Sequence, residues 1–135
     1  MPLIGREKVS KAITDLVSRK NDALRAQTIV LFTEVIVGTP VDTGRARGNW
    51  FLSNNTPSNK TTQSTSPSAE AQKVPRNMLG KKTFLTNNLP YIETLEFGGF
   101  PKKSTAKTSG GFSRSAPKGW VRKAVKRTQK RIKLI

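Results

Sequence analysis

The chain begins with a long stretch whose apolar residues recur at helical spacing. Residues 6–37 contain neither Gly nor Pro, and five apolar residues fall at i, i+3, i+4, i+7 and i+8: Val9, Ala12, Ile13, Leu16 and Val17. A second apolar run starts at Ala23, and from Ile29 to Val37 apolar residues cover nearly the whole helical circumference, so this half should be buried. The pattern predicts an N-terminal helical region over 6–37.

The sequence allows three versions of this region. One version is a single long helix with a kink near residue 20, and another is a pair of helices, the second capped by Asn21 and Asp22. The β-branched residues of 29–37 also suit a strand. In each version Gly38-Thr39-Pro40 ends the element, because neither Gly nor Pro continues it.

Residues 39–98 predict a small sheet followed by a short helix. Asp42, Thr43 and Gly44 form a structural turn, after which Arg45 to Ser53 is predicted as a strand. Lys82 to Asn87 is the return strand, and Pro90 fits the first position of a helix over Tyr91 to Phe97. The two strands therefore pair as an antiparallel hairpin.

Two loops and a last helix complete the pattern. Residues 54–69 contain twelve Ser, Thr, Asn or Gln among sixteen residues, which predicts a mobile loop at the hairpin tip. Residues 99–116 are rich in Gly, Ser and Lys and predict a second flexible loop. Pro117 then opens a basic C-terminal helix over 117–133. We expect one α+β domain over 1–135, with the long N-terminal helix packed on a small antiparallel β-sheet.

The charge of the chain is strongly positive and unevenly placed. The net charge is +17, and residues 97–135 hold twelve basic residues and no acidic one. Such a segment needs a negative partner: nucleic acid, an acidic protein surface or anionic lipid. The predicted basic surface lies on the C-terminal helix: Arg122, Lys123, Lys126, Arg127, Lys130, Arg131 and Lys133. A disordered basic tail is the alternative interpretation.

Composition argues against catalysis. The chain has no Cys and no His, so thiolate nucleophiles, histidine bases and most transition-metal sites are excluded. The turn from Val41 to Gly44 resembles the active-site turn of aspartic proteases, but Arg45 would keep Asp42 ionised, whereas that chemistry needs a shared proton. Glu93 and Glu96, at i and i+3, suit a solvated helix face, or partners for the surplus Lys and Arg, better than a magnesium site. We expect no enzymatic activity, no cofactor and no metal.

Other residues are candidates for contacts between chains. Arg45 and Arg47 alternate near Trp50 and could grip a phosphate or a carboxylate of a neighbouring subunit, or could protect an exposed strand edge. No segment is long and apolar enough to span a membrane, and the first residues lack a signal region, so no membrane partner is expected.

Three segments together resemble a family of tailed-phage proteins. Pro40 to Arg47 followed by Asn49-Trp50 resembles its P-V-D-T-G-x-L/A-R-x-x-W motif. Thr86 to Gly98 resembles its N-N-x-P-Y-A-x-x-L-E-x-G motif, and Ala116 to Arg122 resembles the closing motif before a final helix. The order and spacing match the minor tail, tail-completion and neck proteins of long-tailed phages, including the lambda minor tail protein Z group. The loops over 54–69 and 102–115 and the very basic C-terminus depart from that pattern.

The resemblance implies a virion structural protein at the head–tail junction with a tail-terminator-like fold. It implies a homo-oligomeric ring of six copies, or twelve as the alternative, assembled in the host cytoplasm. Its partners would be a portal adaptor or head-closure protein, a tail terminator or tube, and genome DNA in the lumen. Arg45, Arg47, Trp50, Glu93 and Glu96 would be interface residues. The alternative function is a small nucleic-acid-binding protein that uses the basic C-terminal helix without sequence preference.

Overall fold

The N-terminal region is one continuous helix. A computed structural model describes residues 2–41, 44–98, 108–109, 112–113 and 118–134. Helix α1 spans Pro2–Gly38, so the prediction of one long helix is confirmed, whereas the two-helix and strand versions are wrong. The kink near residue 20 stays a prediction. Asn21 does not cap a second helix, because its side chain accepts hydrogen bonds from the N–H groups of Met78 and Leu79 and donates one to the carbonyl of Arg76.

The C-terminal half of α1 forms one wall of the core. Its main packing partner is the C-terminal helix α4, Trp120–Ile132, rather than the sheet. Apolar side chains from most of the chain meet there: Phe32, Val35, Ile36, Ala46, Trp50, Ala71, Val74, Met78, Leu89, Leu95, Trp120 and Ala124. Residues 5–20 of α1 lie outside this core and are all exposed.

A one-turn helix stands where the first strand was predicted to begin. Helix α2 spans Arg45–Gly48, and strand β1 starts only at Trp50 and runs to Asn54. The prediction of a strand from Arg45 is wrong, because the Gly48 N–H bonds the Gly44 carbonyl at 3.0 Å and closes a helical turn. Gly44 enters this turn at a φ of +90°, in the left-handed region that favours glycine.

The sheet is an antiparallel pair with a long connection. Strand β2, Thr83–Asn87, pairs antiparallel with β1, so the predicted return strand is confirmed. The register sets Trp50 opposite Asn87 and Asn54 opposite Thr83. Between the strands only Glu70–Lys73 is regular, as a 3-10 helix. The same connection supplies Ala71, Val74 and Met78 to the core, so part of it is buried.

The remaining elements complete an α+β fold. Helix α3 spans Ile92–Phe97, within one residue of the predicted helix, and Thr108–Ser109 (β3) pairs with Phe112–Ser113 (β4). Helix α4 begins at Trp120, three residues later than predicted, after Gly119 at a φ of +64°. The predicted turn residues Asp42 and Thr43, the helix-opening Pro117 and most of the predicted loop over 99–116 fall outside the described residues.

Candidate functional site

The first motif closes the end of α1. Arg47 donates from Nη2 to the carbonyls of Val37, at 2.7 Å, and Thr39, at 3.1 Å. The last carbonyls of a helix have no partner within the helix and carry partial negative charge, so a guanidinium there satisfies and stabilises them. Arg47 therefore does not lie on a strand face with Arg45. Its guanidinium makes both of these hydrogen bonds to carbonyls of its own chain.

Trp50 belongs to the core. Its Nε1 donates to Thr39 Oγ1 at 2.8 Å, and that hydroxyl donates onward to the carbonyl of Val35 at 2.7 Å. Both side chains are buried. Because Trp50 is enclosed within its own chain, the structure contradicts its predicted place at a subunit interface.

The polar segment over 54–69 is anchored on α2. Asn49 is fully buried, and its side chain bonds both the N–H and the carbonyl of Thr62, at 2.8 and 3.0 Å, and the carbonyl of Arg45 at 2.7 Å. Arg45 Nε donates to the same Thr62 carbonyl at 3.3 Å. Arg45 thus contacts the segment predicted as a mobile loop, and sequence reasoning missed Asn49, which holds that segment in place.

The second motif joins the first motif to the third. Asn87 donates from Nδ2 to the carbonyl of Ala46 at 2.9 Å, which ties β2 to α2. The Glu96 carboxylate accepts from the backbone N–H groups of Val121 and Arg122 at 3.1 and 3.0 Å, in the first turn of α4. A carboxylate at this position satisfies unpaired helical N–H groups and opposes the positive end of the helix dipole.

Glu96 and Glu93 therefore differ in their surroundings. Glu96 is buried and paired with Arg122 Nε at 3.4 Å, so the structure contradicts its predicted role at an interface. Glu93 is exposed. The two carboxylates do not share one solvated face, and the described residues contain no cluster of three or more acidic, His or Cys side chains that could hold a metal.

The third motif returns to α1. Trp120 is buried and donates from Nε1 to the carbonyl of Val35 at 3.0 Å, across 85 residues of sequence. Arg122 lies over the Phe97 ring at 4.6 Å from its centroid, a cation–π contact between α3 and α4. The polar side chains of all three motifs thus meet near the C-terminal end of α1, in what we term the motif junction.

The cations of α4 divide by residue type. The three arginines have partners within the chain: Arg122 pairs with Glu96, while Arg127 and Arg131 reach Glu34 at 3.1 and 3.5 Å. The four lysines are exposed, have no acidic partner among the described residues, and recur at i, i+3, i+7 and i+10, on one helical face. We call them the lysine stripe: Lys123, Lys126, Lys130 and Lys133. The predicted basic surface is therefore narrower than the sequence indicated.

Neither sequence nor fold comparison assigns a family. No family model matches the chain, and no curated protein or solved structure is significantly similar to it. Among the described residues, no helix is long and apolar enough to cross a membrane. A functional conclusion must therefore come from the motif junction, the exposed half of α1 and the lysine stripe.

Proposed function

We propose that this chain is a non-enzymatic structural protein of a phage virion. In this proposal it acts at the neck, where it completes the tail, joins the tail to the DNA-filled head, or does both. The observation that carries the proposal is the motif junction. Three segments that resemble neck and tail-completion motifs bond to one another and to α1 through Arg47, Trp50, Asn87, Glu96 and Trp120.

The same contacts give the polar residues of the motifs a structural role. Arg47 closes one helix, Glu96 caps another, and Asn87 ties strand to helix, so each polar group stabilises the fold. A framework of this kind suits a subunit whose function is to assemble. We propose a homo-oligomeric ring of six copies, with twelve as the alternative, formed in the host cytoplasm and retained in the virion.

The lysine stripe gives the ring a surface for its neighbours. Four uncompensated lysines on one face suit either the genome DNA in the lumen or an acidic face of a portal adaptor, head-closure protein, tail terminator or tube. The exposed Glu93 and the interface role of Arg45 and Arg47 remain predictions within this assembly.

Electron microscopy of lysates from a phage lacking this gene tests the proposal. We expect separate DNA-filled heads and full-length tails, with joining restored when the wild-type chain is supplied from a plasmid. A Glu96→Ala chain should restore joining poorly because its junction is weakened. Asp22→Ala, which removes an exposed carboxylate outside the motif junction and outside the predicted interface residues, should restore it as the matched control. Intact, infectious virions without the chain would overturn the joining role.

The lysine stripe also favours a second function, binding of nucleic acid without sequence preference. If the stripe contacts phosphates, replacing its four lysines by Gln should flatten the plot of log K against log salt by about 3.6, from about 0.9 per phosphate contact. The control replaces four exposed lysines elsewhere: Lys8, Lys60, Lys81 and Lys82. Equal slopes for both quadruple variants would exclude the stripe as a specific DNA surface.

A further inference from the structure

The outer edge of strand β2 has unused hydrogen-bonding groups. Along an antiparallel ladder the hydrogen-bonded residues alternate, and the bond from the Asn55 N–H to the Lys82 carbonyl, at 2.9 Å, sets the phase here. The backbone groups of Thr83, Leu85 and Asn87 therefore point away from β1. Among the described residues none of these groups has a hydrogen-bond partner. We call the N–H groups and carbonyls of these three residues the open edge.

The opposite edge of the sheet is covered by the chain itself. At the outer edge of β1 the Trp50 carbonyl accepts from Ser68 Oγ at 2.6 Å, and the Asn54 carbonyl accepts from the Thr56 N–H at 2.9 Å. The 3-10 helix over Glu70–Lys73 also packs against this strand. Only one of the two edges is thus left for pairing with a further strand.

Strand β2 also lacks the features that prevent a free edge from pairing. Proteins protect such edges with charged residues, Pro or a bulge within the strand. Thr83–Asn87 contains no charge and no Pro, and its register with β1 has no bulge. All five residues are partly exposed, so a second backbone can reach them. A sheet of two strands is also marginal by itself and gains stability from a third.

The side chains around the open edge indicate the chemistry of the incoming strand. Leu85 packs against the hydrophobic core, opposite Leu52 of β1. A residue beside Leu85 would extend this row, so it should be apolar. Lys81 and Lys82 directly precede β2, are exposed, and have no acidic partner in the part of the chain that the structure describes. The incoming strand should therefore carry acidic residues at the end that lies beside these lysines.

We propose that the open edge binds an extended acidic segment of another protein as a third, antiparallel strand. Antiparallel pairing is the more stable arrangement per residue, and it places the acidic residues after the strand residues of the segment. A second copy of this chain fits less well. Paired at Leu85, it would bring Asn88 and Leu89 beside Lys82 and Lys81, with no acid. The inference goes beyond the proposed function, because strand addition needs only the open edge.

A synthetic peptide tests the open edge directly. The probe is acetylated Thr-Thr-Val-Thr-Thr-Glu-Glu amide, mixed with the isotope-labelled full chain, and hydrogen exchange is followed by NMR. In the free chain the amides of Phe84 and Thr86 should exchange slowly, because they bond β1, whereas those of Leu85 and Asn87 should exchange quickly. Saturating peptide should slow Leu85 and Asn87 about tenfold or more and leave Phe84 and Thr86 unchanged.

Matched peptides separate backbone pairing from charge. In the proposed pairing the valine N–H points at the Leu85 carbonyl, so N-methylation of the valine should abolish the protection. N-methylation of a neighbouring threonine, whose N–H points away from β2, should not. Gln in place of both glutamates should weaken binding about fivefold at low salt, since the contacts with Lys81 and Lys82 are lost. That difference should disappear at high salt.

The substitution Thr83→Pro blocks the open edge in the chain itself. Pro is tolerated at the first residue of a strand when its nitrogen faces solvent, so the fold should be retained. Thr83→Val is the matched control, because it keeps the N–H and the β-branched shape. Thr83→Pro should bind the peptide about tenfold more weakly than Thr83→Val. Circular dichroism and urea melts of both variants show whether the fold is intact.

Four results would overturn the strand addition. The first is fast exchange at Leu85 and Asn87 in about 5 mM peptide. The second is full protection by the peptide with N-methylated valine, and the third is equal binding of the peptide by Thr83→Pro and Thr83→Val. The fourth is a wild-type chain that sediments as a dimer with Leu85 already protected, which would assign the open edge to a second copy.

Discussion

The two halves of α1 contain similar apolar residues and have different surroundings. Val35 and Ile36 are buried in the core with Trp50 and Trp120, at 3% exposure each. Val9 and Ile13, in the exposed half over 5–20, are more than half exposed. Both halves have helical apolar spacing, and neither contains a charge on its stripe that would identify it as a surface. The spacing therefore shows which face of a helix will pack, but it does not show whether its partner lies in the same chain.

The difference lies in how much of α1 the helix α4 covers. Helix α4 runs antiparallel to α1, with Trp120 beside Val35 and Arg131 reaching back to Gln27 and Glu34. It ends at Ile132, so it covers only the C-terminal half of α1.

The largest contrast should come from one substitution made in each half. Ile36→Ala should lower the free energy of unfolding by about 3 kcal/mol, because it leaves a cavity in the core. Ile13→Ala should change it by less than about 0.5 kcal/mol when denaturation is followed at a concentration that keeps the chain monomeric. Equal losses in urea melts would show that residues 5–20 pack within their own chain.

The next contrast compares two carboxylates on α3. Glu96→Ala should lower the free energy of unfolding by about 2 kcal/mol, since two backbone N–H groups of α4 and Arg122 lose their acceptor. Glu93→Ala, three residues earlier and exposed, should stay within about 0.5 kcal/mol. Thermal melts of both variants measure the difference. An unchanged free energy of unfolding in Glu96→Ala would show that Glu96 does not stabilise the motif junction.

Substitution of two glycines by Ala should have opposite effects: one should destabilise the packed region and the other should stabilise the exposed half of α1. A Cβ at Gly48 would lie 2.6–2.7 Å from the carbonyl oxygens of Ser66 and Ser64, so Gly48→Ala should cost about 1.5 kcal/mol and hasten proteolysis within 54–69. A Cβ at Gly5, in the exposed first turns of α1, meets nothing within 4 Å, so Gly5→Ala should increase helical circular dichroism. Unchanged proteolysis of Gly48→Ala would show that the segment is not held on α2.

The smallest effect should come from the ion pair that flanks the buried half. Arg127 and Glu34 are both partly exposed, so Arg127→Ala should lower the free energy of unfolding by about 0.5 kcal/mol. Lys126→Ala, its exposed neighbour in the lysine stripe, should have no measurable effect on stability. The difference between these variants should disappear in 1 M salt, and persistence there would indicate packing rather than charge.

Elements with strong local signals could be predicted from the sequence. The absence of Gly and Pro over 6–37 predicted α1, and Pro90 with the following apolar residues predicted α3 almost to its ends. The return strand was equally clear. The turn of helix at Arg45–Gly48 was missed, because the apolar run from Trp50 to Leu52 favoured extending the strand backward over two alternating arginines.

The roles of the polar residues could not be predicted, since their partners are distant in sequence. Asn21 bonds a backbone group 57 residues away, and Glu96 caps a helix that starts 24 residues later. Such contacts leave no periodicity and no local motif. For the same reason the segment over 54–69 was predicted to be mobile. The residue that holds it by hydrogen bonds, the buried Asn49, lies outside the polar run.

The hydrogen bond from Trp120 to Val35 also means that, during synthesis, α1 is made well before the helix that packs on it. The apolar half of α1 leaves the ribosome early, but the tryptophan that covers it follows 85 residues later. At 5–20 residues per second that interval lasts about 4 to 17 s. Throughout it, Phe32, Val35 and Ile36 lack the side chains of α4 that cover them in the folded chain, so the core cannot close until α4 has been synthesised.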